Sequence, residues 1–180
     1  LPISAEFAAH VFDKITEAGA AFGLGHGGYF AINSLRMEKG YSHWGHDIGE
    51  EDTPFDAGLG FAVAMDKPGG FIGREALAAQ KAGPQRRRMM QLRQPMTDAP
   101  MLYHQEPILR DGVIVGSVTS GAYGHRVGAS LGMGYVSCEA GVTADWLATG
   151  TWEVEVAWKR YPVEVALRAP YDPKGERIKG

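Results

Sequence analysis

The dipeptide Gly83-Pro84 separates two stretches of sequence with different periodicities, and this break restricts the fold more than any other feature. Proline fixes φ and biases the residue before it away from helix, so the helical composition of Arg74-Glu75-Ala76-Leu77-Ala78-Ala79-Gln80-Lys81 must end there. From Arg86 onward helical spacing disappears. Alternating or β-branched runs take its place at 89–93, 107–109, 113–120, 131–136, 152–158 and 163–167, separated by glycine turns. Asp111-Gly112, between Leu109 and Val113, is the clearest hairpin signal in the chain. Short strands at close spacing predict a small antiparallel barrel or sandwich. The expected class is therefore α+β, with one domain over 1–83 and a β domain over 84–180.

In the first part, Ser4 is placed to cap a helix whose apolar residues Phe7, Ala8, Val11, Phe12 and Ile15 recur at helical spacing, with Gly19 near its end. This face is expected to be packed. The run GLGHGG at 23–28 invites a phosphate-binding reading, but a dinucleotide fingerprint needs a preceding strand and a downstream acid. Here the run joins two helices, so it reads as a connection. The second helix is expected to start near Tyr29, to bury Phe30, Ile32 and Leu35, and to stop at Gly40, which tolerates a left-handed cap. Tyr41, His43, Trp44, His46 and Asp47 then crowd around Gly45 in a loop suited to approach something planar and polar. Thr53-Pro54 turns the chain, and the corner Gly58-Leu59-Gly60-Phe61 is expected to open a short strand through Met65.

Composition excludes several function classes. With 180 residues and 44% hydrophobic content the chain can bury a core. A net charge of −3 and a pI near 6.1 lack the positive field of a nucleic-acid binder; Arg86-Arg87-Arg88 is the one basic cluster. The single Cys138 rules out an intrachain disulfide framework and a cysteine zinc site, and fits a reducing, cytoplasmic compartment. No apolar run approaches the roughly 20 residues that cross a bilayer, so no membrane partner is expected.

The stretch 33–63 and its continuation carry a resemblance. Ser34-Leu35-Arg36, Glu38-Lys39-Gly40-Tyr41, Trp44-Gly45, Asp47, Thr53-Pro54, Ala57-Gly58-Leu59, Phe61 and Phe71-Ile72-Gly73-Arg74-Glu75-Ala76-Leu77 follow one another in order. Val118-Thr119-Ser120-Gly121 and Met133-Gly134-Tyr135-Val136 follow in the β part. This pattern resembles the folate-binding region shared by the glycine cleavage T-protein and the C-terminal halves of the dimethylglycine and sarcosine dehydrogenases and oxidases, and the flavin-linked branch more than the T-protein. The resemblance implies the end of a T-protein-like folate domain followed by a small antiparallel β-barrel. It implies that an oxidised N-methyl carbon is passed to tetrahydrofolate, with FAD held only by an N-terminal remainder of the same polypeptide. Leu1-Pro2-Ile3 reads as the tail of a YLP-type strand within such a longer chain, which on its own is expected to be inactive. The family's GE-x-G-x-E stretch and folate aspartate are not present.

The site candidates follow. Arg36 could fork onto a carboxylate or a pterin edge, or brace neighbouring groups. The resemblance favours bracing, because the folate-contacting arginine of the T-protein pattern A-R-D-S-L-R falls at Ile32 here. Phe61 stands where the family places an aromatic beside the cofactor, though it also reads as a core phenylalanine. Trp44 is expected to anchor the loop by burying its ring, and Trp44 and Tyr171 complete the folate set. No catalytic residue and no metal site are assigned: His43, His46 and Asp47 lack a ligand from a second element, and Ser34, Ser42 and Cys138 lack a nucleophile-elbow context. Two other readings are an aminomethyltransferase homologue and a non-catalytic T-protein-like interaction module. An iron-sulfur-assembly relative would need a cysteine after Lys39-Gly40, where Tyr41 stands.

Overall fold

The computed structural model describes residues 2–179, which form two compact units divided within the second helix, between Ile32 and Asn33. Leu1, the first residue of the expected strand remnant, lies outside the described residues.

In the first unit a 3-10 turn (Ala5–Phe7) leads into α1 (Ala8–Gly19), a second 3-10 turn (Ala20–Phe22) and the left-handed Gly23. The Ser4 side chain makes no capping hydrogen bond; its carbonyl accepts from the Phe7 N–H instead. The apolar face of α1 is not packed as expected: Phe7, Phe12 and Ile15 are exposed, and α1 buries no residue. Phe12 stacks on His26 of the glycine-rich connection, with ring centroids 5.2 Å apart. Phe30, Ile32 and Leu35, expected to be buried on the second helix, are exposed as well.

The second helix, α2 (Tyr29–Lys39), stops as its sequence dictates. Gly40 takes φ +64°, its N–H donates to the Met37 carbonyl, and the Tyr41 N–H donates back to Arg36. This paired closure needs a left-handed residue, and glycine takes that conformation at no steric cost. A Cβ there would also press on Gln91 at 3.3 Å. The loop that follows contains a 3-10 turn at Gly60–Ala62, not the expected strand: the Val63 N–H closes onto the Gly60 carbonyl and takes the backbone out of extended geometry. The next helix, α3 (Arg74–Ala82), ends before Gly83-Pro84 as predicted.

The β part holds seven strands: β1 (Arg87–Arg93), β2 (Pro107–Arg110), β3 (Val113–Gly124), β4 (Ala129–Ser137), β5 (Trp152–Val156), β6 (Lys159–Pro162) and β7 (Glu164–Ala166). They form one antiparallel sheet in the order β6-β5-β2-β3-β4-β1-β7. Asp111 and Gly112 both have positive φ and join β2 to β3 in the predicted two-residue hairpin. The sheet curls into a half-barrel: Met90 and Leu92 from β1 share one buried cluster with Trp152 and Val154 of β5, which lies four places away in the strand order. Alternation sends the other side chains of β4, Leu131, Met133 and Tyr135, to the opposite face, where they meet Met37 of α2 and Met89 of β1. A short helix, α4 (Ala144–Ala148), is capped by the Thr143 hydroxyl accepting from the Trp146 N–H, and its Leu147 carbonyl accepts from the Trp152 indole N–H. The chain continues to α5 (Glu176–Lys179).

Candidate functional site: a clamped loop beside an open cleft

Residues 41–61 carry the largest concentration of predicted site residues, and Asp47, not Trp44, holds them in place. The Asp47 carboxylate is fully buried. Its Oδ2 accepts from Arg36 Nη1 at 2.8 Å and from the His43 backbone N–H at 2.8 Å, while Oδ1 accepts from the Thr119 hydroxyl at 2.7 Å. Arg36 also donates from Nε to Asn33 Oδ1 at 2.7 Å and from Nη2 to Ser120 Oγ at 2.9 Å. Its fork is thus engaged on three sides. A charge-assisted pair this well satisfied fixes geometry more than it adds net stability, whereas losing one member would be expensive.

The two hydroxyls reach this clamp because of an irregularity in the sheet. The β3–β4 register shifts between Val118 and Ser120, so the extra residue Thr119 escapes strict alternation. A bulge of this kind re-aims side chains, and here consecutive Thr119 and Ser120 both meet the Arg36–Asp47 pair.

Further supports flank the clamp. Asp52 accepts from the Gly49 N–H and pairs with Arg87, whose guanidinium lies 3.7 Å from the centre of the Tyr135 ring. Burial works to raise the Asp52 pKa, but the Gly49 N–H and Arg87 outweigh it and hold the carboxyl below its ordinary value. Burial, and after it the Asp52 charge, push the Tyr135 phenol well above its ordinary value against the opposing pull of Arg87. Thr53 and Asp56 cap the Pro54 turn reciprocally, and Asp56 Oδ1 accepts from Gln80 of α3 and from Gln85.

Between this loop and the edge of the sheet lies a cleft of about 450 Å³. Its walls are the end of α2 (Lys39 to Ser42), the corner Ala57 to Leu59 with Phe61, the β1 residues Arg88, Met89 and Gln91, and Leu167 beyond β7. The Phe61 ring is 86% exposed, so it is not a core residue. Gly58, at φ +75°, provides the left-handed step into the corner that presents it.

The four sequence candidates therefore separate. Phe61 lines the cleft. Arg36 lies in the clamp, with the bracing role that one of its two readings predicts. Trp44 is 68% exposed and does not anchor the loop; the expected burial fails because the buried carboxylate of Asp47 already fixes the turn, through His43 and Thr119, without the indole. Tyr171 docks at the end of α2, where its N–H donates to the Glu38 carbonyl at 3.0 Å and the Lys39 ammonium holds Asp172 at 2.9 Å. That hydrogen bond from Lys39 is the largest influence keeping the Asp172 carboxyl below its ordinary pKa. The sequence places Asp47 in the polar loop around Gly45 but does not single it out as the group that holds the loop, and it does not point to Thr119, Arg88, Met89, Gln91 or Leu167. Ser120 and Thr119 were visible only as part of the VTSG run. The His46 ring centroid lies 6.1 Å from those of His43 and of His104, but among the described residues no group of three or more His, Cys, Asp or Glu side chains converges to hold a metal. Among them, too, no helix is long and apolar enough to cross a membrane.

Comparison with known proteins agrees with this architecture. Residues 1–67 match the GCVT N-terminal domain, and residues 87–172 match the glycine cleavage T-protein C-terminal barrel domain. The chain is 42% identical over 179 residues to a 4-methylaminobutanoate oxidase (formaldehyde-forming) of Paenarthrobacter nicotinovorans, covering 98% of this chain and 21% of that protein. It is 36% identical over 172 residues to the mitochondrial sarcosine dehydrogenase of Homo sapiens, covering 94% of this chain and 18% of that one. It thus spans about a fifth of the length of these relatives. The crystal structure of the glycine cleavage system aminomethyltransferase T from Bartonella henselae superposes with a TM-score of 0.72 at 25% identity, over 91% of this chain and 43% of that one. With both domain models matched in chain order on an α+β fold of the same kind, the chain belongs to the glycine cleavage T-protein-like family, in the company of the sarcosine and dimethylglycine dehydrogenases.

Proposed function

We propose that this chain is the folate-facing part of a flavin-dependent N-methylglycine dehydrogenase or oxidase, in which a methyl carbon oxidised elsewhere in the polypeptide is passed to tetrahydrofolate. The observation that carries this reading is the cleft at Phe61. An aromatic ring left 86% exposed at a corner adds little to the core, yet it offers a flat apolar surface beside Tyr41, Gln91 and Arg88. A volume of about 450 Å³ lies within the range of small-molecule sites.

In this reading Phe61 stacks on the folate ring, Arg36 acts indirectly by holding the loop, and exposed Trp44 is available to close the site. Tyr171 is positioned beside α2 by Glu38 and Lys39. Residues 1–83 complete the folate domain and 84–180 form the barrel that supports it. FAD belongs to the remainder of the polypeptide, which is the chain's natural partner, in a reducing, cytoplasmic setting. The chain itself supplies binding, orientation and exclusion of water, and no residue is assigned a proton-transfer role.

The test is to oxidise dimethylglycine or sarcosine with the full-length polypeptide, with and without tetrahydrofolate, and to measure free formaldehyde. Suppression of formaldehyde by folate at an unchanged rate of flavin reduction is the expected result. If formaldehyde is released equally in both cases, the folate role is wrong; if the amine is not oxidised at all, the non-catalytic interaction-module reading takes its place.

A further inference from the structure

The consecutive arginines 86–88 are matched unequally. Arg86 has Glu139 at 3.6 Å, and Arg87 is held by Asp52 and the face of Tyr135. Arg88 is half-buried, enters no ion pair among the described residues, and has a buried Nε without a hydrogen-bonding partner. A desolvated guanidinium donor with nothing to receive it is unfavourable in the folded protein, and its persistence calls for a physical explanation.

Its position supplies one. Arg88 lines both the cleft of about 450 Å³ and a neighbouring cavity of about 300 Å³, and Gly58 and Phe61 line both as well. Pairing of β7 with β1 begins only at Gln91, so β7 does not cover β1 at the level of Arg88. The other cation lining the cleft, Lys39, is committed to Asp172, and the Arg36 guanidinium is committed to Asp47. Arg88 is thus the cation of the cleft that has no protein counter-ion among the described residues.

We infer that Arg88 is the anion-recognition residue of this cleft and receives a ligand carboxylate on its fork while Phe61 receives a planar ring. The inference rests on the folate reading above. A reduced folate carries a ring system at one end and glutamyl carboxylates at the other, and an amino-acid substrate offers a carboxylate of its own. The shared chemistry is a carboxylate on a guanidinium, a geometry that arginine satisfies with two parallel hydrogen bonds and lysine does not.

The sources are separated by titrating the full-length polypeptide, as wild type, Arg88→Gln and Arg88→Lys, with tetrahydrofolate and with tetrahydropteroate, which has the same ring but no glutamate. Arg88→Gln is expected to weaken tetrahydrofolate by about tenfold and tetrahydropteroate by less than about twofold, with Arg88→Lys between the two. A tenfold rise in the KM for the amine, with both folates unchanged, would keep the carboxylate role but assign it to the amino-acid substrate. Equal weakening of both folates, or no change in either folate or in the KM for the amine, overturns the inference. If the wild type binds neither pterin, the folate reading fails by itself, and tri-γ-glutamate then serves as the carboxylate probe. Salt-sensitive binding that disappears in Arg88→Gln sustains the inference, and absence of binding ends it. Because Arg88 has no hydrogen-bonding or ion-pair partner to lose among the described residues, Arg88→Gln should melt no lower than the wild type; if it does, Arg88→Lys carries the test.

Discussion

Replacing Asp47 with alanine isolates the energetic centre of the loop. The carboxylate is fully buried and receives Arg36, the His43 N–H and the Thr119 hydroxyl, all within 2.8 Å. Removing one partner of a buried ion pair costs about 3–5 kcal/mol, because the remaining charge stays desolvated without compensation. The two further orphaned donors would each add about 1–3 kcal/mol if water could not reach them, but these terms overlap and do not sum. The net expectation is a loss of about 4–6 kcal/mol, or roughly 10–20 °C in Tm for a domain of this size. Asp47→Asn keeps an acceptor oxygen but points an amide at a guanidinium, and should lose about 2–3 kcal/mol. The double change Arg36→Met with Asp47→Leu removes both charges and should recover to within about 2 kcal/mol of the parent. Urea unfolding followed by near-UV circular dichroism measures all of these. An Asp47→Ala loss below about 1 kcal/mol, or a double variant as unstable as the single one, would refute the clamp.

Trp44→Ala should change unfolding free energy by less than about 0.5 kcal/mol in the same assay, because the ring is exposed. Gly116→Ala should unfold the sheet or cost more than about 3 kcal/mol, since its Cβ would lie within bonding distance of the Tyr135 carbonyl oxygen; near-normal melting would show that the strands can part there. The Lys39–Asp172 contact is linked to pH: because Asp172 titrates below its ordinary value, its contribution is complete above the unfolded carboxylate pKa of about 4 and disappears as pH falls through the lower folded value. Asp172→Asn should therefore flatten the acid limb of the Tm–pH curve and leave its shape at neutral pH unchanged.

The sequence revealed structure wherever a local rule decides conformation. Gly40 ends α2 because its left-handed φ closes two hydrogen bonds, and Asp111-Gly112 makes its hairpin because both positions need positive φ. The hairpin between β5 and β6 escaped notice because Ala157 and Trp158 adopt positive φ without the usual glycine or asparagine. Phe61 stands out in the sequence as a candidate, but its 3-10 turn does not, because a short apolar run after a glycine reads equally well as a strand. Thr119 was beyond reach for a different reason. Strict alternation sends it away from Ser120, and only the register shift against β4 brings both hydroxyls to one carboxylate. Likewise nothing in Arg86-Arg87-Arg88 distinguishes the third arginine; its lack of a counter-ion is a property of the tertiary arrangement.

The central claim, that the cleft at Phe61 faces folate, is tested most directly by Phe61→Ala in the full-length polypeptide, with tetrahydrofolate titration and stopped-flow reduction by the amine measured on the same sample. An aromatic stack contributes about 1 kcal/mol beyond its buried area, so folate affinity should fall by about tenfold or somewhat more. Because the ring is exposed here, Tm should stay unchanged, and so should the rate of flavin reduction. Folate affinity within about twofold of the parent, with a lowered Tm, would contradict the account and make Phe61 a structural residue.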